Sequence, residues 1–172
     1  ELALRVDWIE PELTGAGRLG ITPCPGRQDQ GRDLGTDLAQ LRSQGATRLL
    51  CLLTDSELHW AGVPDLGPRA QATGLTYHRV PVPDQDTPDA ADATELVRWC
   101  RQATARGEAV VVTSMRGLGR SGTVAACCLV AAGMAPEAAI AAARAARGPR
   151  ALETIAQENF VITFASATRR RR

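Results

Sequence analysis

The sequence predicts an α/β fold, a twisted, parallel-centred sheet with helices on both of its faces. Three observations lead there. Leu49 to Leu53 and Val110 to Val112 are continuous apolar runs of strand length, which suits strands covered on both sides. The segments around them carry helical spacing and helical punctuation. Strand-like and helix-like segments then alternate along the chain, as a parallel sheet with crossover helices requires.

In order, Val6 to Ile9 and Leu19 to Ile21 are short apolar pieces split by Pro11 and by Gly15 to Gly17; they predict a strand pair at a sheet edge. Pro23-Cys24-Pro25-Gly26 predicts a rigid turn, and Arg27 to Arg32 a polar loop. Thr36 to Gln44 reads as a short amphipathic helix, with Leu38 and Leu41 on one face and Gly45 ending it. After the Leu49 to Leu53 strand come two brief helical turns, Leu58 to Val63 and Pro68 to Ala72; His59 and Trp60 read as surface or packing residues. Leu75 to Val82 alternates like a strand, and residues 83–89 form a loop. Thr87 is placed to cap the next helix, with Pro88 in its first turn and Asp89 and Asp92 at its positive end. That helix runs to about Arg106, where Gly107 stops it. A helix from Ser121 to Ala132 follows the Val110 strand, and Pro136 to Arg147 and Leu152 to Ala165 supply two more. With no internal repeat and no linker, residues 1–168 make one domain, and Arg169 to Arg172 a solvated basic tail.

Bulk composition narrows the function. A chain of 172 residues supports one well-buried core, and its formal charge of +1 gives no electrostatic case for nucleic acid or a membrane surface. No apolar run reaches the roughly 18 residues of a membrane span, and no signal-peptide pattern opens the chain. Aromatics are 3%, so aliphatic residues and alanine must fill the core. The cysteines are Cys24, Cys51, Cys100, Cys127 and Cys128, odd in number and without a Cys-x-x-Cys pair. No metal or cofactor is therefore expected, and a monomer in a reducing cytoplasm is. The absence of lysine beside abundant alanine, arginine and glycine suggests a GC-rich, bacterial coding sequence.

Chemistry concentrates in Val110 to Thr123, Val-Val-Val-Thr-Ser-Met-Arg-Gly-Leu-Gly-Arg-Ser-Gly-Thr. A buried strand, a glycine-bearing loop and a helix N-terminus make an anion cradle from backbone amides, here of Met115, Arg116, Gly117, Leu118 and Gly119. Arg120 closes it, since a planar guanidinium holds two oxygens of a phosphate at once. The spacing matches Cys-x5-Arg-Ser/Thr, which cysteine-dependent phosphatases place between a strand and a helix, with Ser114 at the first position and Ser121 at the last. A helix N-terminus and an arginine can pull a thiol pKa from about 8.5 to well below 7. A serine hydroxyl gains far too little from the same field, and no histidine adjoins it in sequence to act as base. Other loop motifs fail: Gly-x-x-x-x-Gly-Lys needs a lysine, and Gly-x-Ser-x-Gly is broken because Gly122 comes one residue early.

Phosphoryl transfer also needs a proton for the leaving oxygen, and a carboxylic acid on a facing loop can supply it. Asp84 is the best placed, just past the carboxyl end of a strand, where α/β folds gather ligands. Asp86 is second, and Asp89 serves the helix start.

Several separated motifs then appear in one order: Leu19-Gly20-Ile21-Thr22-Pro23-Cys24-Pro25-Gly26, Thr76-Tyr77-His78 leading into Pro81 to Asp84, Thr87-Pro88-Asp89, and Gly117-Leu118-Gly119-Arg120-Ser121. On these the chain, from about Leu19 to Phe164, resembles the cyclin-dependent-kinase-associated phosphatases, a branch of the dual-specificity protein phosphatases, and their bacterial relatives. The resemblance implies a protein tyrosine phosphatase-like fold and hydrolysis of phosphomonoesters, phosphoproteins foremost, through a phosphocysteine. It makes Asp84 the general acid, Arg120 the phosphate-binding arginine and Ser121 the hydroxyl that helps the thiolate leave. Two positions depart from the pattern. Thr113-Ser114 stands where the family has His-Cys, which removes a loop-orienting residue and the nucleophile. Arg116 occupies a variable position, from which it favours an additional anionic group on the substrate.

Three accounts of Ser114 compete: a phosphatase whose catalytic cysteine was exchanged for serine, a natural pseudophosphatase that binds phosphorylated partners without turnover, and a different enzyme or scaffold. In the first two the partner is a phosphorylated substrate, or phosphate or sulfate in the loop.

Overall fold

The computed structural model describes residues 2–10 and 16–171. Its sheet has five strands: β1 (Asp7–Trp8), β2 (Arg18–Pro23), β3 (Ala46–Cys51), β4 (Thr76–Arg79) and β5 (Ala109–Ser114). They lie in the order β1-β2-β5-β3-β4. β1 pairs antiparallel with β2 at one edge, as the apolar pieces predict, and every other pairing is parallel. Pro11 and Gly15, read as interrupting the edge pair, lie outside the described residues.

Among the described residues, seven α-helices surround the sheet: α1 (Leu34–Ser43), α2 (Asp55–Ala61), α3 (Leu66–Ala72), α4 (Ala90–Ala105), α5 (Gly119–Ala131), α6 (Pro136–Arg147) and α7 (Ile155–Arg170). The pleat of β5 divides the core. Val110 and Val112 join Leu50 and Leu52 under α4 to α7, whereas Val111 joins Leu49, Cys51 and Leu53 against α1 to α3. Every residue of α5 from Gly119 to Val130 is buried, because sheet and neighbouring helices enclose it. That helix therefore presents its N-terminus at the carboxyl end of the central strand, where α/β sheets open their crevice.

Side-chain caps move several helix starts from the expected positions. Asp33 accepts the Thr36 amide, so α1 begins two residues before Thr36. A reciprocal capping box of Thr54 and Glu57 starts α2 at Asp55 rather than Leu58. α4 is capped by Asp89, whose carboxylate accepts the Asp92 amide; Thr87 stays in the loop. Thr154 and Gln157 form a second box, which delays α7 to Ile155 instead of Leu152. α7 then continues through Arg170, so the first two arginines of the basic run are helical rather than tail, and Arg172 lies outside the described residues. α5 begins at Gly119, two residues before Ser121. No described helix is long and apolar enough to cross a membrane.

Candidate phosphate-binding site

β5 delivers Ser114, buried, to the mouth of the crevice, and residues 115–118 turn into α5. The loop is held from outside through its carbonyls. Met115 C=O accepts the Cys24 amide at 3.1 Å and an Arg27 N–H at 3.4 Å. Arg147 donates to the carbonyls of Arg116 and Gly117, at 3.1 and 2.9 Å. With three successive carbonyls drawn outward, the loop amides turn toward the cleft at the positive end of α5. Gly117 has φ +63°, and a Cβ there would lie 2.7 Å from the Thr22 carbonyl, so the turn admits only glycine.

The cleft in front of the loop holds about 310 Å³ and is lined by Ser114, Met115, Arg116, Leu118, Gly119 and Arg120, with Arg27, Glu57, Trp60, Asp84 and Glu153 opposite and around them. The sequence-predicted residues thus converge, apart from Gly117 and Ser121, which sit behind the lining. Larger, apolar space exists elsewhere, between α4 and α7, but it contains none of this chemistry.

Arg120 is 4% exposed and fixed on three contacts. Its Nη1 and Nη2 donate to the two carboxylate oxygens of Glu57 at 2.7 and 2.8 Å, and Nη1 also donates to Val82 C=O at 2.8 Å. Glu57 is half-buried, which raises its carboxyl pKa; hydrogen bonds from Arg120 and from the Thr54 amide outweigh that and hold it below the ordinary value. Glu57 went unnoticed in the sequence because it lies ahead of the expected start of α2. Its signal was the Thr54-x-x-Glu57 spacing of a capping box.

Asp84 Oδ1 stands 3.6 Å from Arg120 Nη2, on the open side of the cleft. It occupies a turn closed by the Asp86 amide on Pro83 C=O, with Gln85 at φ +63°, a sign that non-glycine residues seldom take. The fully buried Gln157 anchors that turn to α7 by donating to Asp86 C=O at 3.2 Å. Asp86 itself faces the Thr87 amide, and Asp89 caps α4, so neither points at Arg120.

Ser114 Oγ lies 2.6 Å from Ser121 Oγ. No cysteine replaces it as nucleophile: all five are buried. Cys24, the one bonded to the loop, has its thiol pushed up to about 12 by burial and by nearby Cys51.

The site differs from the sequence reading at Arg116. Rather than facing an open anion subsite, its guanidinium is 3.5 Å from the Glu153 carboxylate. Arg27 is similarly paired, with Asp29, and sits 5.5 Å from the ring of Trp60. Trp60 is indeed a surface residue, at 62% exposure, but the surface is the cleft wall.

A five-stranded sheet flanked by helices, with a Cys-x5-Arg-type loop at the end of its central strand, defines the protein tyrosine phosphatase-like class. A family profile described as "Polymorphic toxin system, DSP-PTPase phosphatase" matches residues 27–134, and the chain belongs to this dual-specificity phosphatase family. It is similar to cyclin-dependent kinase inhibitor 3 of Rattus norvegicus, 30% identical over 166 residues that cover 94% of this chain and 78% of the relative. Among solved structures it resembles a kinase associated phosphatase whose catalytic-site cysteine was substituted by serine, with TM-score 0.91, 29% identity and 98% coverage of each chain. Tk-PTP in its active form shares the fold at TM-score 0.75 and 24% identity, over 94% of this chain and 96% of that one.

Proposed function

We propose that this chain recognises phosphomonoesters, phosphoproteins foremost, in the site of a cysteine-dependent dual-specificity phosphatase, and that with serine at position 114 it binds them without turnover. The observation that carries this reading is the fixed Arg120. Glu57 and Val82 engage three of its five N–H donors, which leaves one on Nη2 and the Nε–H as the pair for two phosphate oxygens.

With a cysteine at 114 the same geometry supports a complete reaction. The thiolate attacks phosphorus, the bond from phosphorus to the leaving oxygen breaks, and Asp84 gives that oxygen its proton. Arg120 and the loop amides hold the equatorial oxygens as charge shifts onto them. Water then attacks the phosphocysteine, returning a proton to Asp84, and the phosphorus–sulfur bond breaks as the sulfur leaves as thiolate, which the Ser121 hydroxyl stabilises from behind. In this chain the Ser114 Oγ is hydrogen-bonded to the Ser121 hydroxyl, and a hydroxyl is no base. The five free thiols accord with a reducing compartment. A natural pseudophosphatase is the second reading, favoured by Thr113, where the resemblance implies a histidine.

The test is Ser114→Cys. Turnover of an aryl phosphate should be at background in the protein as it stands and appear in the variant, sensitive to iodoacetamide. An inactive variant across mildly acidic to mildly basic pH, still binding phosphopeptide, would favour the pseudophosphatase. In the Ser114→Cys background, Asp84→Asn should slow a phosphotyrosine peptide by about 100- to 10,000-fold and a phosphate ester of an acidic phenol much less. The same leaving-group pattern from Asp86→Asn instead would move the acid by two residues.

A further inference from the structure

A carboxylate is an unexpected guest in an anion cradle, and Glu153 is placed there firmly. Gly119 N–H, a cradle amide, donates to Glu153 Oε1 at 3.2 Å, the position an oxygen of a bound anion would take. Glu153 Oε2 lies 2.8 Å from Arg150 and 3.5 Å from Arg116. Its side chain is only 11% exposed. The backbone beneath it is clamped as well: Glu153 N–H donates to Gln157 Oε1 at 2.7 Å, next to the Thr154 capping box of α7. One turn into α5, Gly122 lets this segment pack directly on the helix, since a Cβ there would fall 1.2 Å from the Ala151 carbonyl oxygen.

The charges lining the cleft are Arg27, Arg116 and Arg120 against Glu57, Asp84 and Glu153. Arg27 is paired with Asp29 and Arg120 with Glu57, while Arg116 shares Glu153 with Arg150, so a second phosphate would have to draw Arg116 away from Glu153 while facing the charge of Glu153 and Asp84. A single phosphate still has the buried Arg120 edge and the remaining amides. Resting on the phosphate-site reading above, we propose that Glu153 is a specificity-determining residue: it confines the cleft to substrates bearing one isolated phosphate and rejects those with a second phosphate adjacent, such as a pyrophosphate or a vicinal bisphosphate. Selection comes from the repulsive group rather than from an added contact.

The experiment is calorimetric titration of the protein as it stands, Ser114 included, with inorganic phosphate and with pyrophosphate. The protein should bind phosphate more tightly than pyrophosphate, although pyrophosphate carries more charge. Glu153→Gln keeps an acceptor for the Gly119 amide and removes the charge; it should tighten pyrophosphate at least tenfold and phosphate less than threefold. Glu153→Asp, which keeps the charge, should retain the preference for phosphate. Added salt should shrink the difference between the two anions in the unsubstituted protein. Tighter binding of pyrophosphate than phosphate by the unsubstituted protein would overturn the inference, whether or not the variants fold. So would a Glu153→Gln protein that melts cooperatively and shows an unchanged ratio, which would leave Glu153 a purely structural bridge and the phosphate site intact. If neither anion binds the unsubstituted protein, the phosphate-site reading fails, and this inference fails with it.

Discussion

Arg116, in the loop, and Arg120, in the first turn of α5, stand four residues apart, and each faces a carboxylate, yet the two pairs are built differently. Arg120 is 4% exposed, meets both oxygens of Glu57 within 2.8 Å and is braced by a backbone carbonyl. Arg116 is 47% exposed and approaches one oxygen of Glu153 at 3.5 Å, which Arg150 holds more closely. Parallel N–H···O contacts in a dry setting fix a guanidinium in orientation, and orientation is what a phosphate needs. A single long contact in water fixes little. One strand-to-helix turn thus carries an arginine fixed in orientation and another whose charge is merely offset.

The largest test of that contrast is Arg120→Ala. Affinity for tungstate or a phosphopeptide should fall on the order of 1,000-fold, because charge-assisted donors aimed at the bound oxyanion are lost together. Calorimetry showing equal affinity in both proteins would remove the basis for the site. Next comes Glu57→Gln, which leaves the buried guanidinium with only the longer contact to the exposed Asp84, at 3.6 Å, as counter-charge. Breaking a fully buried pair costs about 3–5 kcal/mol; Glu57 keeps some solvent contact, so about 2 kcal/mol is expected in urea denaturation at neutral pH. The variant should also have an acid signature. Glu57's carboxyl is held below its ordinary value of 4.5 in the folded protein, so its stabilisation is complete above 4.5 and is lost as pH falls through the lower, folded value. The stability gap between the two proteins should accordingly close on acidification. A gap constant with pH would mean that the Glu57 charge contributes nothing.

This pair also marks the limit of what the chain reveals by inspection. That Arg120, Ser114 and Asp84 meet in one cleft was readable because their positions are encoded locally: a strand, a glycine-bearing turn and a fixed offset, or a position just past a strand end. The internal strands were readable because burial on both faces leaves an uninterrupted apolar run. Glu57, Glu153, Arg147 and Gln157 were not, since their contacts join segments between 30 and 71 residues apart. A carboxylate three residues into a helix looks the same in sequence whether it only completes a cap or also grips an arginine. Helix starts slipped for a related reason. Thr87-Pro88 and Asp89 are both acceptable starts by local rules, and only the bond from the Asp92 amide decides between them.

The smallest expected effect belongs to Arg116→Ala. The guanidinium is half in water and its Coulomb attraction to Glu153 is screened, so the pair should be worth less than about 1 kcal/mol. Arg150 remains on the same carboxylate at 2.8 Å, which keeps Glu153 from being stranded. Stability should therefore change by no more than about 0.5 kcal/mol, within the range of ordinary surface substitutions. Phosphate affinity should weaken less than threefold, because the orienting contacts stay with Arg120. A double-mutant cycle with Glu153→Gln isolates the pair, and its coupling should stay below about 1 kcal/mol. Should Arg116→Ala weaken phosphate binding nearly as much as Arg120→Ala, orientation and burial would not be what separates the two arginines. The loop would then hold its anion by summed charge alone.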